Sequence, residues 1–98
     1  MAYLGKGWGD SVDDASIDDV RVAIEETQAM DEEHGAFWVG SDDGENVLEV
    51  SKDLNLIAVF DGNEEKEYRL KGKDWEEVKT LYELFLKERY DLVKNAFG

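Results

Sequence analysis

The stretch Ala36–Lys71, AFWVGSDDGENVLEVSKDLNLIAVFDGNEEKEYRLK, decides the fold. It divides into four short runs of strand character, separated by turn residues. Ala36–Gly40 is the first run, and Ser41–Asp42–Asp43–Gly44 turns the chain after it. Asn46–Ser51 alternates: Val47, Glu49 and Ser51 fall on one side, Leu48 and Val50 on the other, since successive strand side chains point to opposite faces. Lys52–Asn55 turns again. Leu56–Phe60 is apolar at every position, which predicts a central strand covered on both faces or nearly so. Asp61–Gly62 is a hairpin signal because glycine accepts positive φ without steric cost. Lys66–Lys71 then sets Tyr68 and Leu70 against Glu67, Arg69 and Lys71. Connections this short join antiparallel neighbours, so residues 36–71 are expected to form a meander.

Helical patterns flank the meander. Ser16 can cap a free backbone N–H, with Asp19 at the capping-box position. Ile17, Val20, Ala23, Ile24, Thr27 and Met30 recur at helical spacing. The run Asp31–Glu32–Glu33–His34–Gly35 ends this helix, its carboxylates lying at the unfavourable end of the dipole. Asp74 opens a second helix and Glu77 completes its box; Trp75, Val78, Leu81, Tyr82 and Phe85 form the apolar stripe. The expected fold class is α+β: a single layer of about four antiparallel strands packed by an N-terminal and a C-terminal helix, in the order α-β-β-β-β-α. All 98 residues form one domain. Residues 1–15 are a Gly-rich arm or edge strand, 16–34 a helix, 36–71 the meander, and 74–97 a C-terminal helix or helix pair.

Charge narrows the function. The chain carries 25 acidic and 11 basic residues, a net −14. This weighs against a nucleic-acid binder, whose phosphate contacts need Lys and Arg, and against anionic membrane surfaces. The acidity is lopsided. Residues 1–50 hold 14 acidic and two basic residues, a net −12; residues 51–98 hold 11 and nine, a net −2. A localised negative field explains this better than general surface acidification. The absence of Cys removes disulfides, thiolate metal sites and thiol nucleophiles, and the single His34 leaves no multi-His metal site. No apolar run is long enough to span a membrane and the N-terminus has no signal-peptide pattern. The expected location is the cytoplasm.

Each chemical motif meets a simpler reading. Gly5–Lys6–Gly7–Trp8–Gly9 lacks the Lys-Ser/Thr pair of a phosphate loop and opens no helix. It reads as an arm in which Trp8 anchors either this protein's own core or a partner. Asp42, Asp43, Glu45 and Asn46 lack the spacing of a calcium loop and read as a polar turn, as do Asp61–Glu64. Asp31, Glu32, Glu33 and His34 could couple a histidine to carboxylates, but no motif places a nucleophile beside them, and a solvated helix end suffices. No cofactor, metal or catalysis is expected. Trp75 falls on the helix stripe and is expected in the core. Phe37 and Trp38 are adjacent in one strand and must point to opposite faces. Either the outward ring is an apolar anchor beside Asp42, Asp43 and Glu45, the composition of a binding hot spot, or both sheet faces are covered.

The Gly7–Trp8–Gly9 opening, the helix start Ser16–Ile17–Asp18–Asp19–Val20–Arg21, the strand Phe37–Trp38–Val39 and the closing helix led by Asp74–Trp75–Glu76–Glu77 together resemble the small acidic immunity proteins of bacterial polymorphic toxin systems, particularly immunity protein family one. The resemblance implies a cytoplasmic, non-enzymatic antitoxin, of the kind found in contact-dependent inhibition, that binds a toxin domain such as a nuclease or deaminase and blocks its active site. Charge points the same way, because a toxin acting on nucleic acid carries a basic cleft that an acidic surface complements. The expected partner is a basic protein, bound through Trp8, Asp31, Glu32, Glu33, Trp38, Asp42, Asp43 and Glu45. The alternative is an acidic adaptor or nucleic-acid mimic unconnected with a toxin. A pocket enzyme using His34, or a homodimer whose acidity only confers solubility, are further readings; monomer and homodimer both stay open.

Overall fold

In the computed structural model the described residues are 2–31, 35–42, 44–63 and 65–97. The N-terminal arm is a β-hairpin. β1 (Tyr3–Lys6) turns back through Gly7–Trp8–Gly9, with Gly9 at φ +106°, into the two-residue β2 (Ser11–Val12). β1 is interior to the sheet and fully buries Leu4, and β2 takes the sheet edge, so residues 1–15 supply an edge strand and an inner one. Gly5 permits close approach: a Cβ there would lie 2.3 Å from Nε1 of Trp38. A glycine that reads as slack in the sequence is here space for a ring.

The meander follows α1 (Ile17–Ala29) as β3 (Ala36–Gly40), β4 (Val47–Ser51), β5 (Asn55–Val59) and β6 (Tyr68–Lys71). With the hairpin it makes one antiparallel sheet of six strands, in the order β2-β1-β3-β4-β5-β6. The α+β class is as expected; the strand number is six rather than four. The element order is β-β-α-β-β-β-β-α-α, because the C-terminal segment is a helix pair, α2 (Trp75–Leu86) and α3 (Tyr90–Ala96). Glu88, at φ +62°, breaks the two apart.

Caps set the helix starts. The Ser16 hydroxyl accepts from Asp19 N while the Asp19 carboxylate accepts from Ser16 N at 2.9 Å, so Asp closes the box in place of the usual Glu. At α2, Asp74 accepts from Glu77 N at 2.9 Å, but the Glu77 carboxylate accepts from Lys73 N, one residue before the position a capping box uses. The first helix ends at Ala29 rather than running to residue 34. Its last turn holds no basic residue to offset the dipole, and the chain is already extended at Met30.

One face of the sheet takes all three helices. Leu4, Phe37, Val39, Leu48, Val50, Leu56 and Ala58 meet Val20, Ala23 and Ile24 of α1, Val78, Leu81, Tyr82 and Phe85 of α2, and Val93 of α3. Phe37 stacks on Tyr82 with ring centroids 5.0 Å apart, and the Tyr82 hydroxyl donates to the Leu48 carbonyl at 3.0 Å. β5 is not covered on both faces: Leu56 and Ala58 are buried, whereas Ile57 and Val59 are half-buried on the opposite side. Trp75, expected in the core, is half-buried at its margin beside Ile24 and Gln28. Among the described residues no helix is long and apolar enough to cross a membrane.

Thr27 carries a buried hydroxyl with no hydrogen-bond partner among the described residues. An unpaired buried hydroxyl costs stability, and valine has nearly the same shape. Thr27→Val is therefore expected to raise the unfolding free energy by about 1 kcal/mol, read as a higher urea midpoint at unchanged slope. A lower midpoint would show that the hydroxyl is paired in solution.

Candidate functional site

Strand alternation sends Phe37 into the core and Trp38 to the sheet face that, among the described residues, carries no helix. The register places Gly5, Trp38, Glu49, Ile57 and Arg69 in one row across that face, and Tyr3, Gly40, Val47 and Val59 in the next. The two aromatics and two glycines are reciprocal. Trp38 lies over Gly5, and Tyr3 lies over Gly40, where a Cβ would come within 2.5 Å of the phenol ring. Both rings thus rest flat on bare backbone. Tyr3 stays 38% exposed, and Trp38, Val47, Ile57 and Val59 are half-buried. Tyr3, Val47, Ile57 and Val59 were absent from the expected site. The alternation of 46–51 already put Val47 on a separate side from the core residues, but the unbroken apolar run 56–60 hid the outward pair.

The described acidic residues of the expected site lie at opposite ends of β3, Asp31 at one and Asp42 and Glu45 at the other; the strand is five residues long, about 16 Å at roughly 3.3 Å per residue. Asp42 and Glu45 sit in the β3–β4 turn. That turn is tied to the β5–β6 turn by Gly62 N donating to the Glu45 carbonyl at 2.8 Å and Asp61 N donating to Asn46 Oδ1 at 3.1 Å. A cleft of about 410 Å³ brings Asp42 together with Glu88 and Tyr90, and a smaller one beside it brings Asp61 together with Asp91 and Lys94. Carboxylates from three separate segments therefore converge at this end.

Trp8 and Asp31 belong to the other end, where Gly7 N donates to the Ala36 carbonyl at 2.8 Å. Lysines are prominent there. Lys6 pairs with Glu26 at 2.6 Å and lies 5.8 Å from the Trp8 ring centroid; Lys52 donates to the Met30 carbonyl and Lys71 to the Asp53 carbonyl. Trp38 stands between the two ends. Glu32, Glu33, His34 and Asp43 lie outside the described residues.

The strands of the two halves of the chain occupy separate parts of the sheet. The strands of residues 1–50 occupy four contiguous positions, β2-β1-β3-β4, and those of the near-neutral half occupy the remaining two, β5-β6. Arg69 and Lys71 lie on the edge strand β6.

Two titrating groups are displaced, each for a structural reason. Burial pushes the Tyr82 phenol well above its ordinary value, and the Glu49 charge adds to this. The Ser51 hydroxyl, donating to Asp53 in the β4–β5 turn, holds that carboxyl below its ordinary value. Among the described residues no group of three His, Cys, Asp or Glu is placed to hold a metal ion. What the arrangement offers is a preformed aromatic and aliphatic platform with a strongly acidic end. No protein family, curated protein or solved structure matches the chain.

Proposed function

We propose that this chain is an immunity protein: a non-enzymatic cytoplasmic antitoxin that binds a basic toxin domain, of nuclease or deaminase type, and covers its substrate cleft. The observation that carries the reading is the charge imbalance, −12 in the first half of the chain against −2 in the second. A cleft built to hold nucleic acid is lined with Lys and Arg, and an acidic protein both meets it quickly and competes with the phosphate backbone. The sequence resemblance to immunity protein family one supports the same reading.

The test is co-expression with the product of the reading frame adjacent to this gene. That product alone is expected to arrest growth, and the pair to grow and co-purify. The association rate of the purified pair is expected to fall as salt is added. Co-purification without any toxicity to relieve would favour an acidic adaptor instead. Absence of both rescue and complex, or a rate indifferent to salt, overturns the proposal.

A further inference from the structure

We infer that the docking surface is the helix-free sheet face around Trp38 and Tyr3, together with the Asp42–Asp61 end, and that its occupant is the basic protein domain of the proposed function, on which this inference rests. The opposite sheet face is filled by the three helices. The free face presents Trp38, Tyr3, Val47, Ile57 and Val59 in two adjacent cross-strand rows. A contiguous, partly exposed apolar surface of this kind, rimmed by charge, marks an interaction site. The rings are already laid over Gly5 and Gly40, so little side-chain freedom is lost when a partner covers them.

Charge selects the occupant. Asp42, Glu45 and Asp61 lie in the turns at one end of this face, Glu88, Asp91 and Lys94 lie at the same end on the helix side, and Glu49 lies within the face itself, beside Trp38. Arg69 and Lys71 mark the far margin on β6. A partner with an apolar patch bordered by Lys and Arg matches this pattern along β1, β3, β4 and β5. A second copy of the chain does not, because two bodies of net −14 repel. The Trp8 end is the poorer site, since Lys6 already pairs with Glu26 and lies beside the Trp8 ring.

The experiment uses the full chain and the product of the adjacent reading frame, isolated from their complex, in a titration of variants. Trp38→Ala is expected to weaken binding roughly 30-fold or more, the scale of a central hot-spot residue. Gly5→Val keeps the indole but displaces it from the sheet, and is expected to weaken binding as well. Asp42→Lys combined with Glu45→Lys is expected to slow association about tenfold at low salt. Trp8→Ala, and Val22→Ser on the outer side of α1, are expected to change affinity by less than about threefold, as residues outside a footprint do. Thermal unfolding reports whether each variant folds; if Trp38→Ala or Gly5→Val does not, Val47→Arg and Ile57→Arg read the same face. Wild-type affinity in the open-face variants, or a dominant loss in Trp8→Ala, overturns the inference while the immunity reading stands. A wild-type dimer abolished by Trp38→Ala also overturns it, with a second copy as occupant. No complex at all removes the functional reading and the inference together.

Discussion

Phe37→Ala is expected to lower the unfolding free energy by about 3–5 kcal/mol, the range for deleting a buried phenylalanine. Phe37 is fully buried on β3, between β1 and β4, and stacks on Tyr82 of α2. The substitution removes transfer energy, leaves a cavity and ends the ring pairing. It also strikes where sheet and helix meet, so the void cannot close by moving a single side chain. A domain of this size has about 5–15 kcal/mol in total, so the variant is expected to be partly unfolded near physiological temperature. Urea denaturation followed by far-ultraviolet circular dichroism measures the loss. The neighbouring Trp38→Ala sets the contrast: its ring lies on the sheet surface rather than in the core, so its cost in stability is expected to be much smaller. If Phe37→Ala costs under about 1 kcal/mol, far below the usual range, or Trp38→Ala costs more than Phe37→Ala, the inward and outward assignment of β3 is wrong.

That assignment was only half legible beforehand. Period-two alternation says that Phe37 and Trp38 diverge, but not which one the helices cover. The choice depends on β1, whose Leu4 lies on the Phe37 side and whose Gly5 makes room for the indole. The meander, the Ser16 start and the Asp74 start could be read locally, because turns and caps are decided by residues a few positions apart. The N-terminal hairpin could not. Gly5 has its meaning only against a ring more than 30 positions away in sequence, and β2 is too short to show a period. The run Leu56–Phe60 misled for a related reason. Ile57 and Val59 are apolar because they continue the Trp38 platform across the sheet, not because a second layer covers them. For the site, an outward ring on β3 near an acidic turn could be read from the sequence, but that it is Trp38 and not Phe37 follows only from the packing of β1. The convergence of Asp42 with Asp61, Glu88 and Asp91 could not, since it arises from how the β5–β6 turn and α3 meet the β3–β4 turn.

The second large effect is expected in alkali. The Tyr82 phenol is fully buried, and burial reinforced by the Glu49 charge raises its pKa well above the ordinary 10.0. Below pH 10 both folded and unfolded chains hold this proton, and the group adds no pH dependence. Above pH 10 the unfolded chain releases it while the folded chain keeps it, so the unfolded state gains. Stability is then expected to fall by about 1.4 kcal/mol per pH unit from this residue, until the folded-state pKa is reached. The loss accumulates for as long as the pH lies between the unfolded-state and folded-state values, against the modest total stability of a small domain. Tyr82→Phe gives up the hydrogen bond to the Leu48 carbonyl, at about 1 kcal/mol near neutrality, but it has no proton to lose. The wild-type and variant curves of stability against pH are therefore expected to converge or cross above pH 10, in urea titrations taken at successive pH values. Tyr3, Tyr68 and Tyr90 are common to both proteins and cancel in the comparison. Parallel curves throughout the alkaline range would mean that Tyr82 ionises in the folded state as it does in water, and that water reaches the centre of the interface between α2 and the sheet.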